Sequence, residues 1–148
     1  TGTCAPPFTG ETGDPTLSYR VEERLREIFR DRPDLELVLR RHPSEDQEIA
    51  PGERIFTSGR SEDVNALIHA VDMVVVTCST VGLQAYLAGV PMVSVECSVI
   101  SKDAPYGDFG MSRSVPLIEA LEAALLDEIT RQRAAQAGMP AASAKQAP

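Results

Sequence analysis

The sequence predicts the α/β class: one domain with a parallel sheet, doubly wound by helices on both faces. Three observations predict it. Short apolar runs alternate with amphipathic helical stretches along most of the 148 residues, the order that builds parallel sheets. Asp72 to Glu96 reads as one strand–turn–helix–strand unit, in which Met73 to Val76 is apolar without interruption. Such a run suits a strand buried on both faces. That unit's helix is closed by Gly89-Val90-Pro91, ahead of a second apolar run, Met92 to Val95. Glycine accepts the left-handed conformation that ends a helix, and proline cannot continue one.

The elements follow in order. Residues 1–13 are rich in Gly, Pro and Thr and read as a loop, with Thr1 to Cys4 the one stretch able to supply a strand. Asp14-Pro15 opens a helix over 15–30, with Asp as cap and Pro at the first helical position. Val21, Leu25, Ile28 and Phe29 give it an apolar stripe among charges. Pro33 breaks it, and 35–39 is a strand ending in Arg40-Arg41-His42-Pro43. After an acidic turn at 43–52 comes a strand at 54–57, then the turn Ser58-Gly59-Arg60. Ser61 is expected to cap a helix over 62–71, striped by Val64, Leu67, Ile68 and Val71. The central unit places strands at 73–77 and 92–95 with a helix at 80–88. Residues 97–113 read as a long loop, and 115–130 as a last helix striped by Leu117, Leu121, Leu125 and Ile129. The domain is therefore expected to span 1–133. Residues 134–148, small and polar, read as a tail without structure of its own.

Composition narrows the function. Hydrophobic residues are 43% and charged residues 24%, an ordinary globular profile. A net charge of -8 repels nucleic acid, so no nucleic-acid partner is expected. Cys4, Cys78 and Cys97 show no metal-ligand spacing and leave one cysteine over, which predicts no metal and a reduced, cytoplasmic setting. No apolar run is long enough for a transmembrane segment, and the sequence implies no cofactor.

The candidate site lies at the carboxyl ends of the strands, where ligands of open α/β sheets bind. Ser79-Thr80-Val81-Gly82 follows the third strand at a helix start. Hydroxyls and unpaired amides there suit a diphosphate, although the same residues serve as a plain helix cap. Gly82 is read as letting a ligand approach the backbone. Arg40 and His42 end the first strand. A guanidinium grips phosphate through paired hydrogen bonds, and an imidazole donates one. Arg40 and His42 are expected to converge with the Ser79 turn on one crevice. Ser58 and Gly59 form the loop after the second strand, and Gln84 sits on the helix that follows the Ser79 turn. No carboxylate pair or Ser-His-Asp set is named by spacing, so catalytic residues stay unassigned. Gly10 to Gly13 lacks the Lys-Ser/Thr of a phosphate loop.

Arg40-x-His42-Pro43, then Asp72, a hydrophobic strand, Ser79-Thr80 and Gly89-x-Pro91, resemble a pattern in the carboxyl-terminal, donor-binding half of GT-B glycosyltransferases. The nearest branch is that of capsule and surface-polysaccharide enzymes, glycerophosphotransferases and UDP-N-acetylglucosamine 2-epimerases. The resemblance implies a Rossmann-like fold and a nucleotide-diphospho-sugar or nucleotide-diphospho-polyol donor. It implies a missing amino-terminal acceptor domain, without which the chain is inactive or weak alone. It places the donor on Arg40, His42, Ser58, Gly59, Ser79, Thr80, Val81, Gly82 and Gln84. Two departures stand out. Gln84 replaces a carboxylate that bonds ribose in related enzymes. The epimerase His-Arg-Arg-Glu motif is absent, the matching loop reading Cys4-Ala5-Pro6-Pro7-Phe8. An epimerase fragment is one alternative, and an interaction module that kept the fold without the chemistry is another.

Overall fold

A computed structural model describes residues 14, 16–42, 45, 48–98 and 104–138. The chain is a Rossmann-like α/β domain. Helices α1 (Leu17–Arg30), α2 (Val64–Ala70), α3 (Val81–Leu87) and α4 (Leu121–Gln136) accompany strands β1 (Leu37–Leu39), β2 (Ile55–Thr57), β3 (Val74–Val76), β4 (Met92–Val95) and β5 (Arg113–Val115). Every pairing among the described strands is parallel, as the alternation of elements predicts. Where one sheet was expected, the described strands form two, in the orders β1-β2 and β3-β4-β5.

α1 forms because Leu17, Val21, Leu25 and Ile28 recur at helical spacing, and all four are buried. Full burial of such side chains contributes about 1.5–3 kcal/mol each. Asp14 does not cap this helix directly. Its carboxylate accepts from the Thr16 N–H at 2.8 Å and the Thr16 hydroxyl at 2.6 Å, in a turn just ahead of the first helical residue. At the other end Arg54 reaches back and donates to the carbonyls of Phe29, Arg32 and Leu35. This satisfies acceptors that a helix end leaves open.

One core joins both sheets. Leu37 from β1, Val93 and Val95 from β4, and Val115 from β5 meet the α1 stripe and Leu121, Ala124 and Leu125 of α4. All four residues of β4 are buried, the two-faced burial expected of an interior parallel strand. The other face of β3 and β4 carries a smaller cluster of Val76, Met92 and Tyr106. On the β1–β2 face away from the main core, paired Val38 and Phe56 are 36% and 50% exposed.

Several boundaries differ from expectation. α2 is capped by Asp63, whose side chain accepts from the Asn65 N–H, because Ser61 and Glu62 belong to the preceding turn. β5 lies across the end of the expected loop and the start of the expected helix. Only Val115 of its three residues is buried, so no alternation marks it as a strand. Leu117 is 61% exposed and stands outside α4. The buried stripe of α4 is Leu121, Ala124, Leu125 and Glu128, and Arg131 pairs with Glu128 at 2.6 Å. α4 runs to Gln136, past the expected boundary at 133, as alanine-rich sequence permits. The rest of the expected tail, 139–148, lies outside the described residues. Among the described residues no helix is long and apolar enough to cross a membrane.

Candidate functional site at the carboxyl edge of the strands

The sequence-predicted residues fall into two groups, one after β1 and β2 and the other after β3. Arg40 and Ser58 are brought together. The Arg40 guanidinium donates to the Ser58 hydroxyl at 2.8 Å, the Glu62 carbonyl at 2.8 Å and the Arg60 carbonyl at 3.5 Å. Ser58 is 7% exposed. The Ser58 hydroxyl, the Gly59 backbone and the Arg40 charge hold the Glu62 carboxyl below its ordinary range. Arg40 therefore braces the β2–α2 turn. His42 is exposed; its backbone N–H donates to the Glu45 carboxylate at 3.1 Å, and its carbonyl accepts from the Glu45 N–H.

Beside this brace is a cavity of about 380 Å³, whose walls include Arg41, Glu45, Thr57, Ser58, Gly59 and Arg60. Arg41 is positioned by α1. Its guanidinium pairs with Glu22 at 2.5 Å and lies 5.1 Å from the Tyr19 ring centroid. Glu22 also pairs with Arg26 at 2.8 Å, so the acid sits between two cations. Arg60 donates to the Glu45 carbonyl. The cavity thus has two guanidinium groups in its wall with acids beside them. A second cavity of about 310 Å³ lies at the amino ends of β4 and β5, between Pro91, Met92 and Arg113. That is the wrong end of the strands for a ligand of this fold class.

Ser79, Thr80, Val81, Gly82 and Gln84 form the second group at the start of α3. The Val81 N–H donates to the Ser79 hydroxyl at 3.3 Å, and the Gly82 N–H to the Ser79 carbonyl at 2.9 Å. Tyr106 adds a brace: its hydroxyl donates to the Ser79 carbonyl at 2.7 Å and takes a hydrogen bond from the Leu83 backbone. Burial pushes the Tyr106 phenol above its ordinary range. The reading of Gly82 as a ligand-approach position is corrected. Gly82 is buried, and a Cβ there would lie 2.8 Å from the Tyr106 ring and 2.9 Å from the Met92 sulfur. The glycine makes room for the protein's own aromatic ring. Thr80 is exposed and Gln84 half-buried. The two groups are held by separate contacts, Arg40 and Ser58 by the β2–α2 turn and the Ser79 turn by Tyr106.

Sequence reasoning missed a polar cluster at the end of β4. The fully buried Ser94 donates to the Glu96 carboxylate at 2.6 Å, and its oxygen lies 2.6 Å from the Ser112 hydroxyl. With the Ser94 proton given to Glu96, Ser112 is the donor in the second bond. The Gly107 N–H donates to the same Glu96 oxygen at 2.8 Å. Glu96 thereby ties the 104–112 loop to the sheet. Ser94-Val95-Glu96 at the end of an apolar strand was the available signal, since positions two apart share a face. Nothing in the sequence marks Tyr106 as the partner of the Ser79 turn.

No protein-family model, curated protein or solved structure matches the chain.

Proposed function

We propose that this chain is the donor-binding half of a GT-B glycosyltransferase-like enzyme of surface-polysaccharide biosynthesis. It takes a nucleotide-diphospho-sugar or nucleotide-diphospho-polyol, works in the cytoplasm and relies on a separate acceptor domain. The observation that supports this reading best is the cavity at the carboxyl ends of β1 and β2, with Ser58, Gly59, Arg41 and Arg60 in its wall. It lies at the end of the strands where such folds take ligands, and guanidinium groups there suit phosphate. In the transfer reaction, donors at this edge would stabilise charge building on the leaving diphosphate.

Calorimetric titration of UDP, CDP and GDP into the chain tests it. One nucleotide should bind, more weakly as salt rises. Gly59→Ala places a methyl group in open space, its nearest neighbours being Glu62 Oε1 at 3.9 Å and Ser61 Oγ at 4.0 Å. It should leave stability unchanged and weaken binding by about tenfold, the equivalent of ~1.4 kcal/mol. Arg60→Ala should weaken binding at least as much. No binding by any of the three nucleotides, or binding indifferent to both substitutions, overturns the proposal.

A second reading, an interaction module without donor binding, is favoured by one observation. The first amides of α3 are already bonded to Ser79 and Tyr106. Under that reading Ser79→Ala and Thr80→Ala have no ligand affinity to change.

A further inference from the structure

UDP, CDP and GDP carry the same ribose diphosphate and differ only in the base. The cavity at the carboxyl ends of β1 and β2 holds groups suited to each part. Arg41 and Arg60 supply guanidinium charge for the phosphates. The Arg41 side chain is only 15% exposed. Its Nε is buried, and among the described residues no acceptor reaches it. A buried donor in that state costs stability, and a ligand oxygen in the cavity would satisfy it.

The same wall carries Glu45, Glu48 and Ile49. Both oxygens of Glu45 are engaged, one by the Ser18 hydroxyl and the other by the His42 N–H, each at 3.1 Å. Glu48 is exposed, and among the described residues its carboxylate has no hydrogen-bonding or ionic partner. Backbone contacts hold this segment from both flanks. Arg60 donates to the Glu45 carbonyl, and Arg26 donates to the Ala50 carbonyl at 2.7 Å. Arg26 also pairs with Glu22, and Glu22 pairs with Arg41. One chain of contacts from α1 therefore sets both the Arg41 guanidinium and the segment that carries Glu48.

We propose that this cavity takes a guanine nucleotide, with Arg41 on its phosphates and Glu48 on its base. Guanine sets two donors, N1–H and the 2-amino group, side by side on one edge. A carboxylate accepts both through its two oxygens. Cytosine and adenine each offer one amino group beside a ring acceptor, whose lone pair faces the acid. Uracil places its N3–H between two carbonyls, and both oppose a carboxylate. A site built to bond such a group rejects the analogue that lacks it. Ile49, half-buried in the same wall, gives an apolar surface for the face of the base. The assignment rests on the donor reading above and adds the identity of the base.

Calorimetric titration of the whole chain with GDP, inosine diphosphate, CDP and UDP tests it. Inosine diphosphate differs from GDP only in lacking the 2-amino group. GDP should bind about tenfold tighter than inosine diphosphate, and tighter than CDP or UDP. Glu48→Gln puts an amide, which both donates and accepts, in place of the acid. It should weaken GDP by about tenfold, abolish the preference over inosine diphosphate and leave UDP no weaker than before. Its melting temperature should match the parent's, because the side chain is exposed. UDP or CDP binding as tightly as GDP overturns the guanine assignment and leaves the donor reading standing. So does a Glu48→Gln chain that still prefers GDP to inosine diphosphate. Failure of all four nucleotides to bind overturns the donor reading and the assignment with it.

Discussion

Gly82, Tyr106 and Ser79 define the chemistry at the residue scale. A glycine at the start of a helix near strand ends invites a ligand interpretation, but here its missing side chain is filled by an aromatic ring. The ring's hydroxyl joins the Ser79 carbonyl to the Leu83 backbone, so the turn is held from within. Gly82→Ala should destabilise the fold by about 1–3 kcal/mol, because the Tyr106 ring and the Met92 sulfur must both move. Tyr106→Phe should cost about 1–3 kcal/mol by leaving groups of the Ser79 turn unpaired. Urea unfolding curves at constant slope check both values. A smaller loss in Tyr106→Phe would mean that water takes over the hydroxyl's bonds.

At the element scale, the turn between β2 and α2 is held by charge. Arg40 binds its carbonyls, and Ser58 links Arg40 to Glu62. The Glu62 carboxyl is depressed in the folded chain by the Ser58 hydroxyl first, then the Gly59 backbone. The stability it contributes is therefore present above the ordinary carboxylate pKa and is lost as pH falls through the lowered folded value. Glu62→Gln should flatten that part of the acid limb of stability against pH while leaving the neutral limb parallel. Thermal melts between pH 2 and 7 make the comparison, roughly bracketing the carboxylate range. An acid limb identical to the parent's counts against the brace.

At the scale of the whole molecule, both sheets depend on one core. Leu121, fully buried, packs in the cluster that contains Leu37 of β1, Val93 of β4 and Val115 of β5. Leu121→Ala should cost about 2–5 kcal/mol through lost burial and the cavity left behind. Loss of protection in β1 and in β4 should coincide along a denaturant series, since among the described residues no separate core supports the β1–β2 pair. Two separated transitions would show that the sheets are independent units.

The sequence by itself determined the class, the parallel strands β1 to β4 and most helices. Local signals suffice for these: the uninterrupted Met73–Val76 run, the Gly89-Val90-Pro91 stop and the heptad-like stripe of Val21, Leu25 and Ile28 are all contained within one element. It also placed Arg40 and Ser58 at strand ends, where both stand. Only the tertiary structure decided what those side chains touch. Arg40 turns to carbonyls 20 and 22 residues away in sequence, and Tyr106 to a turn 27 residues away. β5 exists because β4 offers it a ladder, its own side chains being mostly exposed. The cluster of Ser94, Glu96 and Ser112 forms because a loop is folded over the sheet. Periodicity records which face of an element meets the core, and it carries no information about which distant segment supplies the opposite half of a hydrogen bond.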